Sequence, residues 1–190
     1  MTDAARADTA LLLMDLQPGI LANYHDADYL PRIARALATA RAAALPVIWV
    51  RVAFRDGYPE AARDNPVFSG IKSSGRLTET GADTQIHPDL DVQPQDVLIT
   101  KRRFSAFAGS DLDVVLRAAG VRHLVLAGVS TSGVVLSTVR LAADLDYRLT
   151  VLANGCLDGD AEVHRVLTEK VFPRQATVRS VDDWVASLAG

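Results

Sequence analysis

Short apolar runs, hydrophobic on both faces, are the feature that most constrains the fold of this 190-residue chain. Each run is rich in Val, Leu or Ile, which is typical of a strand buried between two helical layers. A half-exposed strand would instead alternate apolar and polar residues. We predict strands at residues 9–14, 46–52, 96–100, 123–127 and 148–152, and a weaker sixth strand at 176–178.

Amphipathic segments alternate with these strands. After the N-cap candidate Ser110, for example, Leu112, Val115, Leu116 and Ala119 recur at helical spacing. Strands that alternate with helices imply right-handed βαβ units, so the sequence predicts an α/β protein with three layers and a parallel sheet. Helices are predicted at residues 29–44, 111–119, 132–145, 161–171 and 181–188.

The long stretch at residues 53–95 interrupts this alternation. Glycine and proline recur along it, including Gly57, Pro59, Gly75 and Pro88. We therefore predict an irregular excursion that borders either a site or a subunit contact.

Size, charge and cysteine content narrow the class of protein. A chain of this length with 49% hydrophobic residues is expected to form a single domain over residues 1–190. The formal net charge of -3 and the scattered basic residues argue against nucleic acid or a membrane as the main partner. The N-terminal residues contain no apolar export signal, and the single Cys156 fits a reducing compartment, so we expect a cytoplasmic protein.

Polar residues follow three of the predicted strands, where a parallel sheet binds its ligands. Asp15 follows the first strand, and Lys101 follows the third. The fourth strand is followed by a turn of small residues that begins at Gly128. Taken singly, each has a structural explanation as a cap, a turn or a surface charge. Together, a carboxylate and an ammonium near a helix N-terminus could move a proton and hold a developing anion.

Three spaced motifs resemble the isochorismatase-like (cysteine hydrolase) family. Residues 10–17 read ALLLMDLQ, residues 99–107 read ITKRRFSAF, and residues 124–131 read LVLAGVST. The resemblance covers nearly the whole chain and implies a six-stranded sheet of order 3-2-1-4-5-6, a cis peptide at Val129-Ser130, a homodimer or larger homo-oligomer, and an Asp-Lys-Cys triad. Asp15 and Lys101 match its first two members. We expect the substrate to be bound by Gln17, Phe107, Ser130, Thr131, Ser132 and Val134.

The third member of the triad is missing. In the family the cysteine lies six residues after the glycine that closes strand four, and here that position is Val134. Valine has no nucleophile, so the thioester route of the family's amidases cannot start there. Isochorismatases also lack this cysteine and are thought to use the Asp to protonate a vinyl ether. We therefore predict a small-molecule hydrolase in which Asp15 is the general acid or base, Lys101 holds Asp15 ionised and stabilises an anionic substrate, and Val134 is a pocket wall.

Other residues could replace the missing nucleophile. Ser130, Thr131 and Ser132 crowd the turn, but such residues are the preferred helix N-caps, and the sequence places no histidine base beside them. Cys156 also follows the fifth predicted strand, yet its neighbours include no cation or histidine, so we interpret it as an inert thiol.

The sequence predicts neither a metal nor a cofactor. Its histidines, at positions 25, 87, 123 and 164, form no closely spaced pair, and the Asp-x-His motif of the family's zinc-binding nicotinamidases is absent from residues 55–58. Residues 128–133 match neither nucleotide-binding glycine pattern. The alternative from another class is a catalytically silent protein that keeps the pocket and binds a small molecule.

Overall fold

The computed structural model describes residues 8–189 and places six parallel strands in one sheet of order β3-β2-β1-β4-β5-β6. This order confirms the predicted fold class and topology. Residues 1–7, where we looked for an export signal, and Gly190 lie outside the described residues. The strands are β1 (Thr9–Met14), β2 (Val47–Val52), β3 (Val97–Lys101), β4 (His123–Val129), β5 (Arg148–Leu157) and β6 (Thr177–Arg179).

Helices cover both faces of the sheet. In β1, Leu12 and Met14 pack into the core formed with α4 and α5, whereas Leu11 and Leu13 pack against α2 and α7. Two helical layers therefore enclose the sheet, as the doubly apolar strands predicted. The helices are α1 (Pro18–Leu21), α2 (Tyr29–Ala42), α3 (Pro66–Ser74), α4 (Leu112–Ala118), α5 (Leu136–Asp144), α6 (Ala161–Val166) and α7 (Val181–Ala189). No helix among residues 8–189 is long and apolar enough to cross a membrane.

Two predicted helices are interrupted by π-helical turns, at Thr131–Val135 before α5 and at Leu167–Val171 after α6. In the first, the Val135 N–H donates to the Ser130 carbonyl oxygen, five residues earlier, at 3.2 Å. A π-helical turn contains one more residue than an α-helical turn, and the spacing of hydrophobic residues does not reveal it. The sequence therefore predicted continuous helices.

Strand β5 runs five residues beyond its predicted end. Its pairing with β4 shifts register between Leu126 and Gly128, and Cys156 comes to lie opposite Gly128. Gly128 leaves no room for a side chain against β1, because a Cβ built on it would lie 2.4 Å from the Met14 carbonyl oxygen. Its φ of 156° adds a second reason for glycine at this point.

The excursion at residues 53–95 contains a helix that was not predicted. Helix α3 starts where the Asn65 side chain accepts from the Phe68 N–H at 3.3 Å, with Pro66 in its first turn. Phe54, Phe68 and Leu77 form a small separate core beside the end of β2. The excursion thereby becomes a wall of the site described next.

Candidate active site

A cavity of about 200 Å³ opens at the carboxyl edge of the sheet, beside the ends of β1, β3 and β4. Asp15, Lys101, Ser130 and Val134 line it, so four of the eight predicted site residues come together. The remaining wall is mostly apolar and comes from the segment after β1, from α3 and from the loop after β3. The other lining residues are Ile20, Asn23, Tyr24, Val52, Val67, Phe68, Ile71, Leu77, Arg103, Phe104, Val129 and Gly133.

Asp15 and Lys101 form a buried ion pair in which Lys101 Nζ lies 2.8 Å from Asp15 Oδ2. The two residues that match the first two members of the implied triad are therefore in direct contact, while their catalytic roles stay a prediction. The Asp15 N–H donates to the Val50 carbonyl at 2.8 Å, which ties the residue to β2. Lys101 Nζ also donates to the Arg103 carbonyl at 3.0 Å, so the ammonium is fixed from two sides.

The second oxygen of Asp15 has no hydrogen-bond partner among residues 8–189. Asp15 Oδ1 is buried, and the Asp15 side chain borders the cavity. Burial raises the pKa of the Asp15 carboxyl above its ordinary range, and the charge and hydrogen bond of Lys101 offset this only in part. The arrangement therefore combines a carboxyl that holds its proton more tightly than usual with a second oxygen that is buried and unsatisfied by residues 8–189.

The turn after β4 includes Val134, the position at which the resemblance implied a cysteine. The peptide Val129-Ser130 is cis, as the resemblance implied. Val134 is buried on the π-helical turn and faces the cavity. Two amides of this turn are already engaged, because the Ser132 N–H donates to Asp158 Oδ2 at 2.7 Å and the Gly133 N–H donates to Ser130 Oγ at 3.0 Å. These two amides are unavailable to stabilise an oxyanion unless those bonds break.

The structure does not bring the other four predicted substrate-binding residues to this cavity. The Gln17 side-chain amide is buried and bonds three backbone groups, Val52 N–H, Val52 C=O and Thr84 C=O, at 2.8–2.9 Å. Phe107 packs on Tyr147 in the core, with ring centroids 5.8 Å apart. Their places in the motifs reflect structural roles that sequence spacing could not distinguish from ligand contact.

Thr131 and Ser132 point away from the cavity lining. Thr131 is fully buried, and its Oγ1 lies 2.8 Å from His164 Nδ1. Ser132 is exposed and uses its amide to hold Asp158. Of the three hydroxyl residues that crowd this turn, Ser130 alone lines the cavity.

Cys156 lies inside the core, away from the cavity lining. It is 1% exposed, and burial raises its pKa to about 12. A thiol that is both buried and protonated is a poor nucleophile, which agrees with its interpretation as inert.

Several residues that line the cavity were not predicted from the sequence. Arg103 and Phe104 lie inside the motif ITKRRFSAF, directly after the predicted Lys101, so their proximity to the site was readable. Tyr24 had no such signal. It is half-buried, burial raises the pKa of its hydroxyl, and a hydrogen bond with the Ser130 side chain partly counters that effect.

A larger cavity, about 710 Å³, opens at the opposite edge of the sheet, where β4, β5 and β6 begin. It includes His123, Arg148 and Thr177 and none of the residues predicted for the site. Ligands of open parallel sheets bind beyond the carboxyl ends of the strands, so the smaller cavity is the better candidate.

A three-layer parallel fold with a buried Asp-Lys pair at its carboxyl edge is the architecture that the resemblance implied for isochorismatase-like hydrolases. The chain matches the isochorismatase domain over residues 9–183. It therefore belongs to the isochorismatase family of hydrolases.

Individual relatives agree with this assignment. The chain is 34% identical over 187 residues to the uncharacterized isochorismatase family protein YecD of Escherichia coli O157:H7, covering 95% of this chain and 96% of that protein. It is 31% identical to the ureidoacrylate amidohydrolase RutB of Stutzerimonas stutzeri, covering 96% of this chain and 80% of that protein. A solved isochorismatase family protein from Burkholderia thailandensis superposes with a TM-score of 0.85 at 29% identity over 97% of each chain.

Proposed function

We propose that this chain hydrolyses a small molecule by non-covalent acid catalysis, with Asp15 as the general acid, as an isochorismatase acts on a vinyl ether. The observation that carries the proposal is Asp15 Oδ1, a buried oxygen with no hydrogen-bond partner among residues 8–189, on a side chain that borders the cavity. Oδ2 is already held by Lys101, so Oδ1 is the oxygen that can present a proton to substrate. Burial supports this role because it favours the protonated carboxyl.

The proposed steps use one water molecule and regenerate the acid. Asp15 gives its proton to the terminal carbon of the vinyl ether, which leaves an oxocarbenium ion and an Asp15 carboxylate. Water adds to the cation and loses a proton to that carboxylate, and the resulting hemiketal collapses to a carbonyl compound and an alcohol. Lys101, 2.8 Å away, stabilises the carboxylate that forms in the first step.

Amide hydrolysis through a thioester is not proposed for this chain. Val134 stands at the cavity where the family cysteine would be, and Cys156 is buried in the core. The amides of Ser132 and Gly133 are bound to side chains rather than free to hold an oxyanion. Val134 instead supplies an apolar wall to the cavity.

A substrate panel tests the proposal. Wild type, Asp15→Asn and Asp144→Asn are assayed on isochorismate, simple vinyl ethers, amides and ureas; Asp144 is exposed on α5, away from the cavity lining, and serves as the matched control. We expect vinyl ether turnover by wild type and Asp144→Asn, reduced about 100-fold or more in Asp15→Asn. Thiol-independent amide turnover, or full activity in Asp15→Asn, would contradict the proposal. Binding without turnover of any substrate would favour the catalytically silent alternative.

We also propose that residues 1–190 form one domain that works in the cytoplasm as a homodimer or larger homo-oligomer, in part through residues 132–145. The family match over residues 9–183 supports a single domain, and the free thiol of Cys156 is compatible with a reducing compartment. Light scattering that gave a monomer of 20.4 kDa at micromolar concentration would contradict the proposed assembly.

A further inference from the structure

Arg103 brings an unneutralised positive charge to the candidate cavity. Its Nη1 donates to the Arg102 carbonyl at 2.6 Å and its Nη2 to the Glu60 carbonyl at 2.9 Å, and both acceptors are neutral. Its guanidinium carbon lies 4.8 Å from the centre of the Phe68 ring, which holds the guanidinium plane in place. Within residues 8–189, no carboxylate lies within salt-bridge distance of Arg103.

The adjacent Arg102, in the same loop, has its charge neutralised by two carboxylates. Arg102 Nε lies 2.7 Å from Glu60 Oε1, and its Nη2 contacts Glu79. Arg102 does not line the cavity, whereas Arg103 does. Of these two adjacent arginines, only the one that does not line the cavity has its charge neutralised by carboxylates.

The charged side chains that line the cavity leave one positive charge unpaired. Ionised Asp15 and Lys101 neutralise each other as a pair at 2.8 Å, so the charge of Arg103 is left over, and a protonated Asp15 increases the excess. Arginine has five N–H groups in a planar fork, and two of them are used, so three remain for a ligand. A planar fork of this kind matches a carboxylate better than a neutral group.

We propose that Arg103 anchors a carboxylate of the substrate, so that the cavity accepts a small, largely apolar acid rather than its neutral analogue. The rest of the wall sets the size and polarity of the accepted molecule, because it is built mainly from Ile20, Val52, Ile71, Phe104 and Val134 and encloses about 200 Å³. The inference rests on the proposed function for the location of the site, and it names the class of substrate.

The anchored anion also acts on the general acid. A negative charge that enters a buried site disfavours the carboxylate form of a neighbouring acid. Binding of an acid should therefore raise the pKa of Asp15 further and take up a proton, whereas binding of a neutral analogue should not. The substrate would in this way help to protonate the residue that acts on it.

Matched probes test the anchor without requiring turnover. Benzoate and benzamide share one ring and differ in charge, so their dissociation constants are compared by calorimetry on wild type, Arg103→Met, Arg103→Lys and Arg102→Met. We expect wild type and Arg102→Met to bind benzoate at least about tenfold tighter than benzamide, since a charged hydrogen bond contributes that much. The preference should vanish in Arg103→Met and survive in part in Arg103→Lys, which also keeps the test valid should the methionine variant fold poorly.

Several outcomes would overturn the anchor: equal binding of the two probes by wild type, no binding of benzoate, or a preference that persists in Arg103→Met. Calorimetry in two buffers of different ionisation enthalpy measures proton uptake, which we expect for benzoate with wild type and not with Asp15→Asn. Benzoate should still bind Asp15→Asn. If Asp15 proves not to be the general acid, binding of benzoate through Arg103 is still expected. If Arg103 proves not to bind the carboxylate, the result of the catalytic assay is unchanged.

Discussion

The cavity is bordered by two stretches of chain that differ in what they can do. At the ends of β1 and β3, charged groups are buried and incompletely satisfied, with Asp15 Oδ1 unpartnered. At the turn after β4, the side chain at position 134 is apolar, and the Ser132 and Gly133 amides are bound within the protein. The first region carries the two residues that we propose for proton transfer, whereas the second carries a valine at the position where the resemblance implied a cysteine.

This difference indicates how the first two members of the triad that the resemblance implies could be kept without the third. The acid and the lysine come from strand ends that the sheet itself holds in place, and the nucleophile comes from a single position on the following turn. With valine at that position, Lys101 Nζ lies 2.8 Å from Asp15 Oδ2. A non-covalent reaction needs only the half that remains.

The largest expected effect comes from restoring a thiol to the turn. In Val134→Cys the new thiol should be alkylated by iodoacetamide about a thousandfold faster than Cys156, because a pKa of about 12 leaves Cys156 almost entirely protonated and burial shields it. Mass spectrometry of the labelled peptides measures both rates. Wild type and the double variant with Cys156→Ala are the controls. Comparable labelling at the two positions would show that position 134 does not face the cavity.

Removing the lysine should shift the pH dependence of the other region. In the proposed mechanism the protonated form of Asp15 is the active acid, so activity is present below its pKa and is lost as pH rises through it. Lys101 lowers that pKa, so Lys101→Met should move the high-pH limb of kcat to higher pH and, by removing charge stabilisation, reduce kcat about 10- to 100-fold. Lys170→Met, at an exposed position, is the control. A limb that moved to lower pH would show that Asp15 acts as a base.

Gln17, whose side-chain amide is buried, allows a test that distinguishes a structural role from a substrate-binding role. Gln17→Leu should lower the free energy of unfolding by about 3 kcal/mol, because three buried backbone groups lose their partner. Urea unfolding measures the loss, and Gln95→Leu, on an exposed loop, is the control. Benzoate binding by the folded variant should be unchanged. Weakened binding at unaltered stability would restore Gln17 to the substrate-binding set.

The smallest expected effect concerns Tyr24, the residue that lines both the candidate cavity and an adjacent one of about 320 Å³. Tyr24→Ala should join the two spaces and improve binding of 4-phenylbenzoate relative to benzoate by a few fold, since more apolar surface is buried. Tyr24→Phe keeps the ring and should leave the ratio near that of wild type. Identical ratios in all three proteins would mean that the two spaces stay separate.

The sequence predicted the sheet well because its signal is local and repeated. Runs such as residues 9–14 are apolar on both faces, and strands placed from such runs bring Asp15 and Lys101 to one edge without knowledge of loops. The cis peptide at Val129-Ser130 came from the resemblance and not from any physical signal in the residues. Helix α3 was hidden among glycines and prolines, although Asn65 and Pro66 form an ordinary helix start.

The composition of the site was harder to predict than its location. Gln17 and Phe107 belong to the same motifs as Asp15 and Lys101, yet the first bonds backbone and the second packs in the core. Which side of a loop a side chain takes depends on long-range packing, which one sequence does not display. Tyr24 comes from a segment without a motif, so only the three-dimensional structure brings it to the cavity.

Gly128 suggests how such a protein can and cannot diverge over time. A Cβ there would lie 2.4 Å from the carbonyl of Met14, the residue before Asp15, so any substitution would push apart the two central strands that carry the site. Val134, six positions later, is buried but lines the cavity, so we expect it to accept a different side chain of similar size. In a library of all single substitutions, we therefore expect position 128 to be nearly invariant among folded survivors and position 134 to accept residues close to valine in size, cysteine among them, so new reactivities would arise at the latter.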